Sequence, residues 1–315
     1  LHSSPTCRSG GLLLNEVKLV TLCLRSHIKY IVIMLPFRGE FYMLFNNQHK
    51  LLSPSGHKKL LNDPNYQSNH KLMLVFVGFG KPSEYEDGFI PGSLYLDTNS
   101  IEDVPFWNLV ANEQLEEAIN ELGICLETTV IVYGNKIMAA ARAAWAFMYA
   151  GLEDVRLLNG GLGAWKAYGY SVEEHPSDGH ESKDSFHLLQ PKSNYLSTRN
   201  EIEKDIHNQD SVVVDVRSWN EYSGQTTGYE YMKEKGRIPH AVWGYAGSDP
   251  YHMEDYEEKN GVLKNLEEIE QFWKETGITS DKKATFYCGT GWRASEAFFI
   301  AHLLGWQNIR VYDGG

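Results

Sequence analysis

The stretch Ala284-Thr-Phe-Tyr-Cys-Gly-Thr-Gly-Trp-Arg-Ala-Ser-Glu-Ala297 decides how this chain is read. Its first four residues form an apolar run of strand character that ends at Cys288. A tight loop follows, Gly289-Thr290-Gly291-Trp292-Arg293, and a helical pattern begins at Ala294. A cysteine between a strand end and a helix start meets backbone N–H groups that have no partner of their own. Those groups and the helix dipole favour the thiolate over the thiol. The glycines let the backbone curl around the sulfur, which makes the loop a cradle for an anionic sulfur species. The competing reading takes Cys288 as a small buried hydrophobe. A core cysteine belongs more naturally inside a strand or helix than in a glycine-rich junction, so the functional reading is preferred.

Working outward, the same pattern occurs twice. Val130-Ile-Val-Tyr133-Gly134 aligns with Ala284-Thr-Phe-Tyr287-Cys288 at a separation of 154 residues. That separation carries Gly151 to Gly305 and Asp154–Gly161 to Asn308–Gly315. Each copy reads strand, tight loop, helix, glycine, short strand, Gly-Gly, with the helix over Ala139–Tyr149 in one and Ala294–Leu304 in the other. Upstream, each copy has an Ile-Pro turn, Phe89–Gly92 and Arg237–His240. Each also has a charged amphipathic helix, Asn112–Leu122 and Leu266–Thr276, closed by Gly123 or Gly277. Strands alternating with helices predict an α/β fold with a mainly parallel sheet in each copy. The polar segment Glu174–Ser185 reads as an interdomain linker. The expected organisation is therefore an unassigned extension or degenerate domain over 1–65, a first domain over 66–175, a linker over 176–192 and a second domain over 193–315. The second domain stops at Gly315, where the first continues into the helix Leu162–Tyr168. Its last helix is thus expected to be truncated, leaving core exposed at the sheet edge.

Composition sets limits on function. The 315 residues are enough for about two domains. A net charge of −12 argues against general binding to nucleic acid or to an anionic membrane. Cys7, Cys23, Cys125 and Cys288 show neither a CxxC pair nor metal-ligand spacing, so no metal site, cofactor or disulfide scaffold is expected. Cys125 is expected to pack in a core. The apolar-rich residues Leu12–Leu35 are interrupted by Glu16, Lys18, Arg25, His27 and Lys29, which argues against a spanning helix. No clean signal peptide follows Arg8, and the compartment stays open between cytoplasm and periplasm.

Taken together, these residues resemble the rhodanese family, and specifically its tandem-domain thiosulfate sulfurtransferases, over roughly residues 70–315. The resemblance rests on Asp215-Val-Arg217, the paired Ile-Pro turns, the Cys288–Arg293 loop and the closing Tyr312-Asp-Gly-Gly315. Gly228–Tyr231, Ala246–Pro250 and His252–Asp255 look like a bacterial multidomain subgroup, some members of which carry a further degenerate N-terminal domain. The resemblance implies two rhodanese-like domains. It also implies a reaction in which Cys288 takes the outer sulfur of a donor such as thiosulfate as a persulfide. A thiophilic acceptor, cyanide or a thiol, then removes that sulfur, and a protein acceptor has the same chemistry. Gly289, Thr290, Gly291, Trp292 and Arg293 are the expected substrate-binding loop, with Trp292 shaping the pocket mouth. Arg217 either contacts the donor anion, as a guanidinium fork suits a sulfonate, or pairs with Asp215 or Glu221. Arg293 either faces the donor or pins the loop through a salt bridge. Asp249 and His252 lie near the cleft in the subgroup's loop.

Two departures matter. Gly134 stands where the second copy has Cys288, so the first domain is expected to be catalytically inactive and to form a wall of the cleft. Gly289-Thr290-Gly291 lacks the cations of vertebrate thiosulfate enzymes and is closer to a mercaptopyruvate-type loop, so 3-mercaptopyruvate is the alternative donor. A non-enzymatic persulfide carrier is the alternative from another class. Related phosphatases need Cys-x5-Arg, whereas Cys288 and Arg293 give Cys-x4-Arg, a loop sized for sulfur rather than phosphate.

Overall fold

The structure is a computed structural model that describes strands within residues 13–44, together with residues 47–63, 72–178, 186–188 and 190–314. Parts of the extension and of the expected linker, and Gly315, lie outside the described residues. Within the extension, β1 (Leu13–Leu14), β2 (Val17–Leu24), β3 (His27–Met34) and β4 (Phe41–Leu44) pair in sequence as an antiparallel sheet.

Two five-stranded, all-parallel sheets follow. The first contains β5 (Leu51–Leu52), β6 (Leu72–Gly78), β7 (Leu94–Asp97), β10 (Thr129–Tyr133) and β11 (Val155–Leu158) in the order β5-β11-β10-β6-β7. A two-stranded ribbon, β8 (Glu102–Asp103) with β9 (Asn108–Leu109), lies between β7 and β10 in sequence. The second sheet contains β12 (Leu196–Ser197), β13 (Ser211–Asp215), β14 (Val242–Trp243), β15 (Lys283–Tyr287) and β16 (Ile309–Tyr312) in the matching order β12-β16-β15-β13-β14. The central strands are continuous apolar runs because both faces of each sheet are covered.

The first domain begins earlier than the sequence suggested. Its edge strand β5 and helix α1 (Pro54–Leu61) come from the stretch assigned to the extension. Ser53 caps α1 by accepting the Gly56 N–H at 3.1 Å, and Pro54 occupies its first turn. The repeat does not keep one register there. Thr129 corresponds to Lys283, 154 residues on, but Leu72 corresponds to Ser211, only 139 residues on. Insertions between strands hide the upstream equivalence from a fixed-offset comparison.

The other helices are α2 (Asn112–Glu121), α3 (Ile137–Ala150), α4 (Gly161–Ala167), α5 (Arg199–Asp205), α6 (Trp219–Tyr222), α7 (Leu266–Glu275) and α8 (Trp292–Leu303). Helices α3 and α8 are the sister helices of the two copies, and they pack against each other. Every residue of α3 is buried, which explains why its sequence is apolar on all sides. Gly151, in the left-handed region at φ 108°, ends it. The α3–α8 contact merges the two cores into one continuous cluster that includes Trp145, Phe147, Phe298 and Phe299. Trp145 also donates its indole N–H to the Tyr195 carbonyl at 3.1 Å, and Tyr195 meets the Phe298 ring edge-on. Cys125, in contrast to its expected place in a core, is half-buried beside Thr128.

Trp145→Ala removes a fully buried indole at this joint and is expected to lower unfolding stability by about 3–5 kcal/mol. In urea titrations, the merged core predicts that wild-type domains unfold in one transition; two well-separated transitions would show that the interface does not couple them.

Candidate active site

Cys288 follows the last residue of β15 and is 1% exposed. Its Sγ accepts the Gly291 N–H at 3.1 Å, so the loop folds back over the sulfur within four residues. Gly291 sits at φ 84° and caps α8, which begins at Trp292. The helix thus starts two residues before the sequence pattern suggested, and Trp292 and Arg293 belong to its first turn rather than to the loop. The first-turn amides of α8 have no partners within the helix and surround the sulfur side of the loop.

Both glycines are set by close neighbours. A Cβ on Gly289 would lie 2.2 Å from the Tyr229 ring, and one on Gly291 would lie 2.5 Å from Nη1 of Arg142. Arg142 belongs to α3 of the first domain and is completely buried. Its Nε donates to Glu102 at 2.9 Å, its Nη2 donates to the Trp107 carbonyl at 2.9 Å, and its Nη1 forms an ion pair with Asp313 at 2.9 Å. Asp313 also accepts the Leu109 N–H of β9. Glu102 in turn accepts the Trp292 indole N–H at 2.8 Å. Burial pushes the Glu102 carboxyl up to about 7, against the pull of Arg142 and Trp292. Burial likewise raises Asp313, while for Arg142 the opposing effect of burial is outweighed by Asp313 and Glu102. None of Arg142, Glu102 and Asp313 was singled out from the sequence. The available signal was a lone arginine inside the otherwise apolar Ile137–Ala150.

Arg293 points the other way. It grips Glu221 with two bonds of 2.9 Å, both side chains fully buried, and reaches Tyr229 Oη at 3.4 Å. Of the two roles open to it, the structure shows the loop-pinning salt bridge. Glu221 also closes a capping box with Ser218 at the start of α6. Arg217 makes the pairing alternative: Nε and Nη2 donate to Asp215 at 2.8 and 2.7 Å, and Nη2 also donates to the Gly236 carbonyl. The Tyr287 hydroxyl adds a bond to Asp215 at 2.6 Å. Arg217 is not among the residues that line the cleft.

The cleft above the loop has a volume of about 540 Å³ and runs between the domains. The second domain contributes Thr290, Trp292, Tyr229, Tyr231 and Tyr251, and the first contributes Phe79, Trp107, Lys136 and Met138. Trp107 and Tyr231 meet across it at 4.8 Å between ring centres. Tyr229 stacks on Tyr231, and the Thr290 side chain bonds the Tyr229 phenol, whose pKa is raised chiefly by burial. Lys136 is the one cation among the described residues lining this cleft. Tyr229 and Tyr231 lie in a stretch the sequence marked as peculiar to the subgroup, without a role. Asp249 and His252 pair with each other at 2.8 Å, and His252 lines a different cavity. At the sister position, a Cβ on Gly134 would lie 2.6 Å from the Val77 carbonyl oxygen, so a cysteine does not fit there without backbone movement. Among the described residues, no group of three or more His, Cys, Asp or Glu is placed to hold a metal ion, and no helix is long and apolar enough to cross a membrane.

Residues 53–168 and 198–315 each match the rhodanese-like domain family. The chain is 42% identical over 243 residues to the thiosulfate sulfurtransferase YnjE of Escherichia coli, covering 77% of this chain and 56% of that protein. It is 31% identical to a putative thiosulfate sulfurtransferase of Saccharopolyspora erythraea, covering 73% of this chain and 81% of that one. A solved structure of EanB, bearing a cysteine persulfide and with ergothioneine, superposes with a TM-score of 0.80 at 34% identity, covering 87% of this chain and 69% of that one. The chain thus spans little more than half the length of the first of these relatives.

The Glu221–Arg293 pair predicts a pH dependence. Burial alone would raise Glu221, but Arg293 and Ser218 outweigh it and hold its pKa below the ordinary 4.5. A depressed carboxyl stabilises the fold above its unfolded pKa and loses that contribution as pH falls through the folded value. Glu221→Gln is therefore expected to cost about 3 kcal/mol or more at pH 7. In denaturation series, that deficit should shrink below about pH 4.5; a deficit that stays constant down to pH 3 would refute the assignment.

Proposed function

The chain belongs to the rhodanese family, with two copies of its domain, and from that premise we propose that it is a sulfurtransferase that carries sulfur as a persulfide on Cys288. The observation that carries the proposal is the four-residue fold of Cys288–Gly291 around one sulfur at the N-terminus of α8, beneath an interdomain cleft, with glycine at the sister position. The donor is thiosulfate. The Cys288 thiolate attacks its outer sulfur, the S–S bond of the donor breaks, and sulfite leaves with the electron pair. The outer sulfur of the persulfide is then attacked by cyanide or a thiolate, and Cys288 departs as the thiolate. The Gly291 N–H and the first-turn amides of α8 stabilise the anion in both halves of the cycle.

Lys136 takes the donor's sulfonate, the role expected of Arg217, since Lys136 faces the cleft and Arg217 is committed to Asp215. The donor reaches Sγ by displacing the Tyr229 ring that covers Gly289. The apolar, ring-lined cleft favours a second reading of the acceptor. Trp107, Tyr229, Tyr231 and Tyr251 form the kind of surface that binds a quaternary ammonium by cation–π contact, and hercynine is bound by EanB. Under that reading, a trimethylammonium acceptor receives the sulfur in place of cyanide or a simple thiol.

Parallel steady-state assays with thiosulfate and 3-mercaptopyruvate, each with cyanide, a thiol or hercynine as acceptor, test the proposal. Thiosulfate turnover is expected in wild type and is expected to be absent in Cys288→Ala. Lys136→Met is expected to raise the KM for thiosulfate by about tenfold, the worth of one charged contact, with kcat less affected. Turnover with 3-mercaptopyruvate alone would reassign the donor, and a persulfide that no acceptor removes would make the protein a carrier rather than an enzyme.

A further inference from the structure

The sister relation between α3 and α8 places a second, differently charged cavity on the other side of the domain joint. The 154-residue separation that carries Gly134 to Cys288 carries Arg142 to Glu296. Arg142 reaches from the first domain to the loop at Gly291 of the second. Glu296 is 1% exposed and borders a cavity of about 530 Å³ over the Gly134 loop through its neighbour Glu257, which lines that cavity. Other walls come from Asn135 and Lys136 of the first domain and from Met253 and Lys259 of the second.

Both carboxyl oxygens of Glu296 and Oε1 of Glu257 are buried without a hydrogen-bond partner. Buried carboxyl groups left in this state are costly and rare. The arrangement differs from the Arg142 cluster, where the charged groups are paired with one another. Here two acids adjoin, and the cations Lys136 and Lys259 stand among the other lining residues. Acid at one end and base at the other suit a molecule with a cation and an anion. The remaining charged groups around the pair are Glu254, Glu258, His252 and Lys264; His252 is paired with Asp249, and Lys264 donates to the Glu254 carbonyl.

We propose that the cavity over Gly134 binds a small zwitterion, its primary ammonium held by Glu257 and Glu296 and its anionic end by Lys136 and Lys259. Without ligand, burial pushes Glu257 up to about 7 and Glu296 well above the ordinary carboxyl range, so the pair retains a proton. Entry of the ammonium releases that proton to solvent, and binding strengthens as pH rises. Lys136, Met138 and Tyr251 line both this cavity and the catalytic cleft, so occupancy of one alters a wall of the other. The inference does not depend on the reaction at Cys288.

Calorimetric titration of the full chain with 6-aminohexanoate, with hexanoate as the control lacking an amine, tests it. A probe of zero net charge avoids general attraction to a chain of net charge −12. Wild type is expected to bind 6-aminohexanoate but not hexanoate, more tightly at pH 8 than at pH 6. Glu296→Gln and Glu257→Gln are each expected to weaken binding about tenfold or more. Equal binding by wild type and both variants, equal binding of hexanoate, or no heat at either pH would overturn the proposal. If Glu296→Gln fails to fold by circular dichroism, the more exposed Glu257→Gln decides alone.

Discussion

The structure depends on the buried guanidinium of Arg142. A fully buried charge is tolerated only where its partners are fixed, and here those partners come from three separate places. Glu102 lies on the β8–β9 ribbon of the first domain, Trp107 in the turn of that ribbon, and Asp313 beyond the last strand of the second domain. The same Glu102 holds the Trp292 indole at the start of α8. The domain joint, the ribbon that walls the cleft and the loop over Cys288 are therefore parts of one electrostatic cluster. Gly291 is glycine both because its backbone is left-handed and because Arg142 occupies the space a side chain would need.

This arrangement gives the first domain a role despite its lack of a nucleophile. Its loop at Gly134 closes too tightly for a cysteine, but its helix α3 forms half of the joint, and its Phe79, Trp107, Lys136 and Met138 complete the cleft. The two copies have diverged by charge as well as by nucleophile. The crossing residue is arginine toward the reactive loop and glutamate toward the silent one. A positive group beneath the reactive loop favours anionic sulfur, whereas a pair of acids beside the silent loop favours a cation.

The sequence made the parallel α/β organisation legible because the Tyr133 and Tyr287 strands, their loops and their helices keep a constant spacing. It did not reveal β5 and α1, since the spacing changes upstream where connections differ in length. Cys288 and its loop could be read from local pattern alone. Arg293 carried two alternatives, and the choice between them needed Glu221, which lies 72 residues away. Arg217 posed the same problem with a local answer, Asp215 two residues before it. The cleft was least legible. Its aromatic walls come from separate loops of both domains, and only the docking of α3 on α8 brings Trp107 beside Tyr231.

The central claim is that a residue of the silent domain governs the chemistry of the reactive one. The direct measurement is the rate at which Cys288 becomes one sulfur atom heavier after mixing with thiosulfate, followed by intact-protein mass spectrometry in wild type and in Arg142→Met. The account predicts that wild type gains a single sulfur and that Arg142→Met, still folded by circular dichroism, gains it about tenfold more slowly or worse, the loss expected of a buried charged contact. An unchanged rate in a folded Arg142→Met protein would contradict it.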